Sequence, residues 1–261
     1  MAFTVHAVMP GVWHIVDCMG VCMTLLEGEN AAMLVDTGYG IEDVADFMRH
    51  MTDLPLTVFL THNHHDHAIG ARCFPETYML EADMADWRMF TDDKMRRRVL
   101  TQAIGKNLPV DEKTFLAGEI PLPKVMKPGV IDLGGLTAEI IEAPGHTPGS
   151  AVVYVPERKL LLSGDDWNPC TWLFFPQALG LREYRSNMRG IQQLPFEKVL
   201  CPHREALYDR WMFDDFFNAL TDGNLRAAEP VNIAPYEQID TCQATLPHDQ
   251  VLVFDWAKSG L

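Results

Sequence analysis

The chain has 261 residues, 48% of them hydrophobic and 22% charged, with a mean hydropathy of -0.05. That composition excludes a largely disordered chain and suits one large α/β or sandwich domain, or two small ones. Lys and Arg number 21 against 36 Asp and Glu, a net charge of -15, which argues against a nucleic-acid partner because phosphate binding rests on clustered cations.

The opening "MAFTVHAVMPGVWHIVD" has no basic stretch leading into a long apolar run, so no export signal is expected. No later stretch approaches membrane-spanning length, and no membrane association is expected. Cys18, Cys22, Cys73, Cys170, Cys201 and Cys242 show neither CxxC pairs nor disulfide-rich spacing, which suits a reduced, cytoplasmic chain. Cys18 and Cys22 read as ordinary core residues.

"VWHIVD" and "VCMTLLEGENAAMLVDTG" read as strands, the second a hairpin turning at Gly28, Glu29 and Asn30. "IEDVADFMRHM" follows with Ile41, Val44, Ala45, Met48 and Met51 at helical spacing. "TVFLT" is a short buried strand that runs straight into "THNHHDHAIG". Residues 81–107 read as one or two charged helices, within which Arg96, Arg97 and Arg98 are expected on a solvated face. "DEKTFLAGEIPLPKVMKPG" is punctuated by Pro and Gly and is expected to wrap the surface. "LTAEIIEA", "AVVYV" and "LLLSG" are strands, with "PERK" as a turn. "LREYRSNMRGIQQL" is a helix with Leu181, Tyr184, Met188 and Ile191 on one face. "EKVLCPH" is strand-like, "WMFDDFFNAL" helical, and "DQVLVFDWA" a last strand. Strands come in two batches, each followed by helices. The simplest reading is one two-part α/β domain over residues 1–261, with a helical insertion or lid at 81–128 and a short extension after about 222.

The chemistry concentrates where strands end. His62 and His64 are two apart, so in extended backbone their side chains point the same way, while Asp66 and His67 follow as the chain turns. One segment can thus serve two neighbouring metal ions. Imidazole and carboxylate without thiolate suit zinc, or a harder ion such as iron or manganese. Further candidates sit at other strand ends: His146 in the Pro/Gly turn "EAPGHTPGS", Asp165 after "LLLSG", and His203 in "VLCPH". A chance polar loop explains one such histidine. It does not explain four strand-end sites in this order.

These motifs, "VDTG" at 35–38, "THNHHDH" at 61–67, "PGHTPGS" at 144–150, "SGD" at 163–165 and His203, resemble those of metallo-β-lactamase-fold hydrolases of the glyoxalase II kind. The resemblance spans roughly the first 205 residues and implies an αββα sandwich of two similar halves, with metals at one edge. By resemblance, His62, His64 and His146 hold one metal, Asp66, His67 and His203 hold a second, and Asp165 bridges them. Asp36 steadies a ligand without binding metal. One departure is that His203 sits in "CPHRE" behind Pro202, where relatives present a glycine-rich turn. His65 is not expected to be a ligand, and His6, His14, His50 and His248 read as structural or surface residues.

The implied reaction is hydrolysis of a small-molecule ester, thioester or lactone. A bridging hydroxide attacks while a metal polarises the substrate oxygen, with Asp66 or Asp165 relaying a proton. Two divalent ions, two carboxylates and a hydroxide leave such a centre with about one net positive charge. Trp167, Trp172, Phe174 and Phe175 follow the bridging aspartate and are candidates for a substrate-lining wall; the alternative is that they fill core or a homodimer contact. Alternative functions are a single-iron persulfide dioxygenase, a β-lactam or phosphodiester hydrolase, and a metal-binding module without catalysis.

Overall fold

The structure, a computed structural model, describes residues 3–261. Among these residues the strands form three sheets. The first holds seven strands in chain order: β1 (Thr4–Met9), β2 (Val12–Val16), β3 (Cys22–Glu27), β4 (Ala32–Val35), β5 (Leu56–Phe59), β6 (Tyr78–Met79) and β7 (Lys124–Val125). The first four form an antiparallel meander and β4 to β7 run parallel. The second sheet takes β8 (Gly129–Asp132), β9 (Thr137–Glu142), β10 (Ala151–Val155) and β11 (Leu160–Leu162). It is completed by β13 (Lys198–Leu200) and β14 (Tyr208–Asp209), in the order β14-β13-β11-β10-β9-β8. Between these last two groups β12 (Cys170–Leu173) leaves to join β15 (Glu229–Pro230), β16 (Thr241–Leu246) and β17 (Gln250–Asp255) in a third sheet, ordered β12-β17-β16-β15.

The sandwich follows from strands that are apolar at every position. In β4, Met33 and Val35 face the inner core while Ala32 and Leu34 face outward. In β10, Ala151, Val153 and Val155 face inward and Val152 and Tyr154 outward. A strand buried on both sides needs cover on both. The two large sheets supply the inner cover, packing Leu26, Val35 and Phe59 against Ile140, Val153 and Leu162. Helix α1 (Val44–Met51) covers the first sheet's outer face with Val44, Ala45 and Met48. Asp43 starts that helix by accepting the Asp46 N–H at 2.9 Å.

Beyond α1 come α2 (His65–Ala68), α3 (Trp87–Thr91), α4 (Asp93–Gly105) and α5 (Glu112–Phe115). They bury Trp87, Val99, Leu100 and Phe115 against Leu60 and Ile69. Segment 81–128 is therefore an outer helical layer packed on the first sheet, and its Lys124–Val125 adds an edge strand. Helix α6 (Leu181–Ile191) turns Leu181, Tyr184, Met188 and Ile191 onto the second sheet, the face expected from its spacing. Helices α7 (Arg210–Ala219) and α8 (Asp222–Arg226) complete that layer. The architecture is an αββα sandwich. No helix among the described residues is long and apolar enough to cross a membrane.

Candidate metal centre

Strands β9, β11 and β13 all point the same way, because β9 and β11 are each antiparallel to β10 and β13 is parallel to β11. Their C-terminal ends carry His146, Asp165 and His203. Strands β4 and β5, parallel to one another, end before Asp36 and the histidine cluster. The two sheets thus deliver these residues to one edge. His62, His64, His146 and Asp165 form one set whose ligand atoms lie within 4.8 Å of one another, and Asp66, His67 and His203 form a second. Asp165 stands between them. Its Oδ2 is 3.4 Å from His146 Nε2, 3.5 Å from His67 Nε2, 3.9 Å from His62 Nε2 and 3.1 Å from His203 Nε2. Asp66 Oδ2 lies 3.7 Å from both His67 and His203.

The outer nitrogens of the rings fix which inner atoms carry lone pairs. The Thr61 hydroxyl donates to Asp36 at 2.9 Å, so the His62 Nδ1–H donates to that hydroxyl oxygen at 3.0 Å and Nε2 is left with its lone pair. His67 Nδ1–H donates to Asp36 Oδ2 at 3.0 Å, and His146 Nδ1–H to the Trp172 carbonyl at 2.7 Å. His64 is turned round. Its Nδ1 faces His146 Nε2 at 2.8 Å, and its Nε2 meets the Gln177 side-chain amide at 2.6 Å. His62 Nε2 and His67 Nε2 are buried with no hydrogen-bond partner in the protein, which a native interior rarely tolerates. A cation between these donors satisfies both atoms, so the residues suit a metal centre.

The charges agree. Burial pushes the His62, His64 and His146 imidazoles below their ordinary range, keeping them neutral as ligands must be. His67 is buried as well and His203 half-buried, but the carboxylates of Asp165 and Asp66 outweigh that and hold both above the imidazole range. Against the same burial, the surrounding imidazoles hold Asp66 down to about 2 and keep Asp165 well below the carboxylate range. The carboxylates draw positive charge to this spot.

Backbone economy brings the loops together. Asp36 sits at φ 65°, a left-handed conformation that Asp tolerates better than most residues, and accepts the Thr61 N–H at 2.7 Å. Gly70 must lack a side chain, because a Cβ there would lie 2.0 Å from the Thr37 carbonyl oxygen. Asp83, which has no motif to announce it, braces one ligand loop against the other. It accepts Gly149 N–H at 2.6 Å, the Thr147 hydroxyl at 2.7 Å and Asn63 N–H at 3.2 Å. Asp166 similarly accepts the His146 N–H at 2.9 Å. The "CPHRE" loop needs no glycine-rich turn. Cys22 N–H donates to the Pro202 carbonyl at 2.7 Å, and the buried His14, 3.1 Å from the Arg204 carbonyl, holds the other side of His203.

Above the metal-ligand sets opens a cavity of about 460 Å³. Trp172, Phe175, Phe90 and Tyr236 give it an apolar wall, and Tyr39, Arg98, Gln102 and Arg204 line it as well. The expected aromatic wall is half corrected. Trp167 is fully buried in the core under the second sheet, where it meets Tyr208 and Phe213, and Phe174 is fully buried behind the wall, its ring stacked on Phe175 at 4.6 Å. In β12, alternation turns Cys170 and Trp172 to the cavity and Thr171 and Leu173 inward; past the end of the strand that alternation stops, and Phe175 rather than Phe174 lines the cavity. The arginine run is corrected too. Arg96 is buried, donating to the carbonyls of Phe115 and Gly118, whereas Arg98 lines the cavity and only Arg97 is a plain surface residue. His65 stays outside both ligand sets but lines the cavity beside Tyr39. His6, His50 and His248 are on the surface.

An αββα sandwich with histidines and aspartates gathered at one edge defines a metallo-hydrolase type of fold. A family model described as the metallo-beta-lactamase superfamily matches residues 16–203, and the chain belongs to that superfamily. It is similar to acyl-coenzyme A thioesterase MBLAC2 of Gallus gallus, 26% identical over 202 residues that cover 69% of this chain and 70% of the relative. Among solved structures it is similar to a metallo-beta-lactamase from Pontibacter korlensis, with a TM-score of 0.59 and 17% identity over 83% of this chain and 98% of the other. A metallo-beta-lactamase family protein of Thermus thermophilus gives 0.60 and 20% identity, covering 85% of this chain and 82% of its own.

Proposed function

We propose that the protein is a metal-dependent hydrolase that cleaves a small thioester, ester or lactone and holds two divalent ions, zinc being the best match to the donors. The observation that carries this reading is the pair of ligand sets with Asp165 standing between them, and buried imidazole nitrogens there that are otherwise unpartnered. His62, His64, His146 and Asp165 are the residues for one ion; Asp66, His67 and His203, with Asp165, are those for the other. When bound, such ions polarise a carbonyl oxygen and make hydroxide available near neutral pH. The chain's own side chains do the rest. The aromatic wall of Phe90, Trp172, Phe175 and Tyr236 packs the apolar part of a small-molecule substrate and keeps water from it. Asp66 lines the cavity floor with Oδ1 3.7 Å from His65 Nδ1, placed to orient a water and pass its proton to the leaving group. The acyl-coenzyme A thioesterase named for the Gallus gallus relative supports a thioester within this class.

The test combines elemental analysis of active protein with turnover of a panel of thioesters, esters, lactones, β-lactams and phosphodiesters. We expect close to two zinc ions per chain and the highest kcat/KM on a thioester or ester. His62→Ala with His64→Ala should remove both metal and turnover. Active protein without a transition metal, full activity in the double variant, or oxygen uptake in place of hydrolysis each refutes the reading.

A further inference from the structure

Two cations stand at the cavity mouth of a chain that carries -15 overall. Arg98 on α4 and Arg204, directly after His203, are both exposed and both line the cavity, whereas the Asp165 and His146 side chains that line it with them are buried at its floor. Their neighbours' charges are spent elsewhere. Arg96 takes Asp93, Arg97 faces Glu112 at 3.9 Å, and Glu205 holds His6 at 2.9 Å. Among the described residues, Arg98 has no carboxylate or carbonyl partner, and Arg204 donates only to the His203 carbonyl at 2.8 Å. Helical spacing puts Gln102 one turn from Arg98 on the same side of the cavity. A guanidinium has five donors in a fixed fork that matches carboxylate or phosphate, and two without a carboxylate partner beside a binding cavity form a receptor for negative charge.

Resting on the hydrolase reading, we propose that Arg98 and Arg204 bind an anionic group of the substrate. The substrate is then an amphipathic thioester or ester: its apolar part lies on Trp172 and Phe175, its carbonyl reaches the floor, and its phosphate or carboxylate engages the two arginines at the mouth. The negative charge of the rest of the surface repels such a molecule, and the arginines give it one place to enter.

Three butyryl-sized thioesters separate the possibilities: butyryl-coenzyme A with phosphates on the leaving group, succinyl-N-acetylcysteamine with a carboxylate on the acyl group, and uncharged butyryl-N-acetylcysteamine. At least one anionic thioester should exceed the uncharged one in kcat/KM, and that ratio should fall about ten- to a hundredfold in Arg98→Ala with Arg204→Ala. Raising ionic strength should lower the ratio too. Arg97→Ala, one residue away and outside the cavity, should keep it. Because Arg204 also contacts the His203 carbonyl, Arg98→Ala alone is the second variant, and it should lose part of the same ratio while melting with the wild type. Whichever anionic thioester leads identifies phosphate or carboxylate as the recognised group. Equal turnover of all three, or a preference that survives the double replacement, overturns the proposal. If nothing in the panel turns over, calorimetry with coenzyme A and with succinate decides separately: binding that Arg98→Ala weakens keeps the anion site and removes thioester hydrolysis, and no binding of either overturns the site as well.

Discussion

Asp36 controls a proton on a ring it does not share a loop with, and replacing it by Asn isolates that role. Oδ1 accepts the Thr61 N–H at 2.7 Å, while Oδ2 accepts the His67 Nδ1–H at 3.0 Å and the Thr61 hydroxyl at 2.9 Å. Asn adopts the left-handed conformation at φ 65° as readily as Asp, so the backbone is unchanged. The amide keeps one oxygen. If that oxygen stays on the Thr61 N–H, the NH2 faces His67 Nδ1, which must shed its proton to accept. The proton then sits on Nε2, the atom 3.5 Å from Asp165 that faces the metal position. If the amide turns round instead, the buried Thr61 N–H loses its acceptor. Either way the cost is about 1–3 kcal/mol, which at about 1.4 kcal/mol per factor of ten lowers affinity at the Asp66, His67 and His203 set about ten- to a hundredfold. The His62, His64 and His146 set should weaken less, because the Thr61 hydroxyl that accepts from His62 can still donate to the remaining oxygen, 3.0 Å away. Titration of metal-free protein with zinc against a chelator of known affinity measures both. Equal weakening at the two sets, or two ions bound as in the wild type, refutes the account of Asp36.

The two tryptophans near the centre should separate cleanly. Trp172→Ala, at 38% exposure on the cavity wall, should raise KM for an apolar acyl substrate severalfold and leave the urea midpoint nearly unchanged, and unchanged kinetics would move it to a surface contact. Trp167→Ala should cost about 3–5 kcal/mol in urea denaturation, since it vacates a fully buried core position. On acidification, metal should leave in two steps. Carboxylates hold His67 and His203 above the imidazole range, so protons compete there at higher pH, whereas burial holds His62, His64 and His146 below it and protons compete only at lower pH. Metal content measured along a descending pH series should therefore fall first to one ion, and simultaneous loss of both would contradict the assignment of the sets.

The candidate ligand clusters were legible because each motif encodes its own geometry. A buried strand, a tight turn and a metal-ligating side chain lie within a few residues, so "THNHHDH" and "PGHTPGS" describe their loops without help. Helix α6 was legible for the same local reason, its four apolar residues falling on one face. What escaped depends on distant partners. Asp83 meets Gly149 across 66 residues, and Gln177 meets His64 across 113. Strand β16, "TCQATL", is too weakly apolar to stand out until β17 pairs with it, and β12 finds its partner about 80 residues on. The arginine run carried a signal that a solvated-face reading overlooks. Arg96 is three, four and seven residues before the buried Val99, Leu100 and Ala103, which places its guanidinium on the apolar side.

These long-range contacts explain how short loops hold a charged cluster in a buried place. Each half of the sandwich supplies part of both ligand sets: His62 and His64 come from the first half, His146 and Asp165 from the second. Neither half is complete alone, so the distance between sheets must be fixed from outside the centre. Asp83 does this on one side by joining Asn63 to Thr147 and Gly149. Cys22 and His14 do it on the other by holding the loop that carries His203. The cavity is assembled in the same manner, with Phe90 and Arg98 from the outer helices, Trp172 and Phe175 from the second half, and Tyr236 from the segment between β15 and β16. The ligands of such a centre can be written as motifs because their chemistry is the same for any substrate. The walls draw on separate elements, so the residues that choose the substrate carry no common pattern and become visible only when the chain is folded.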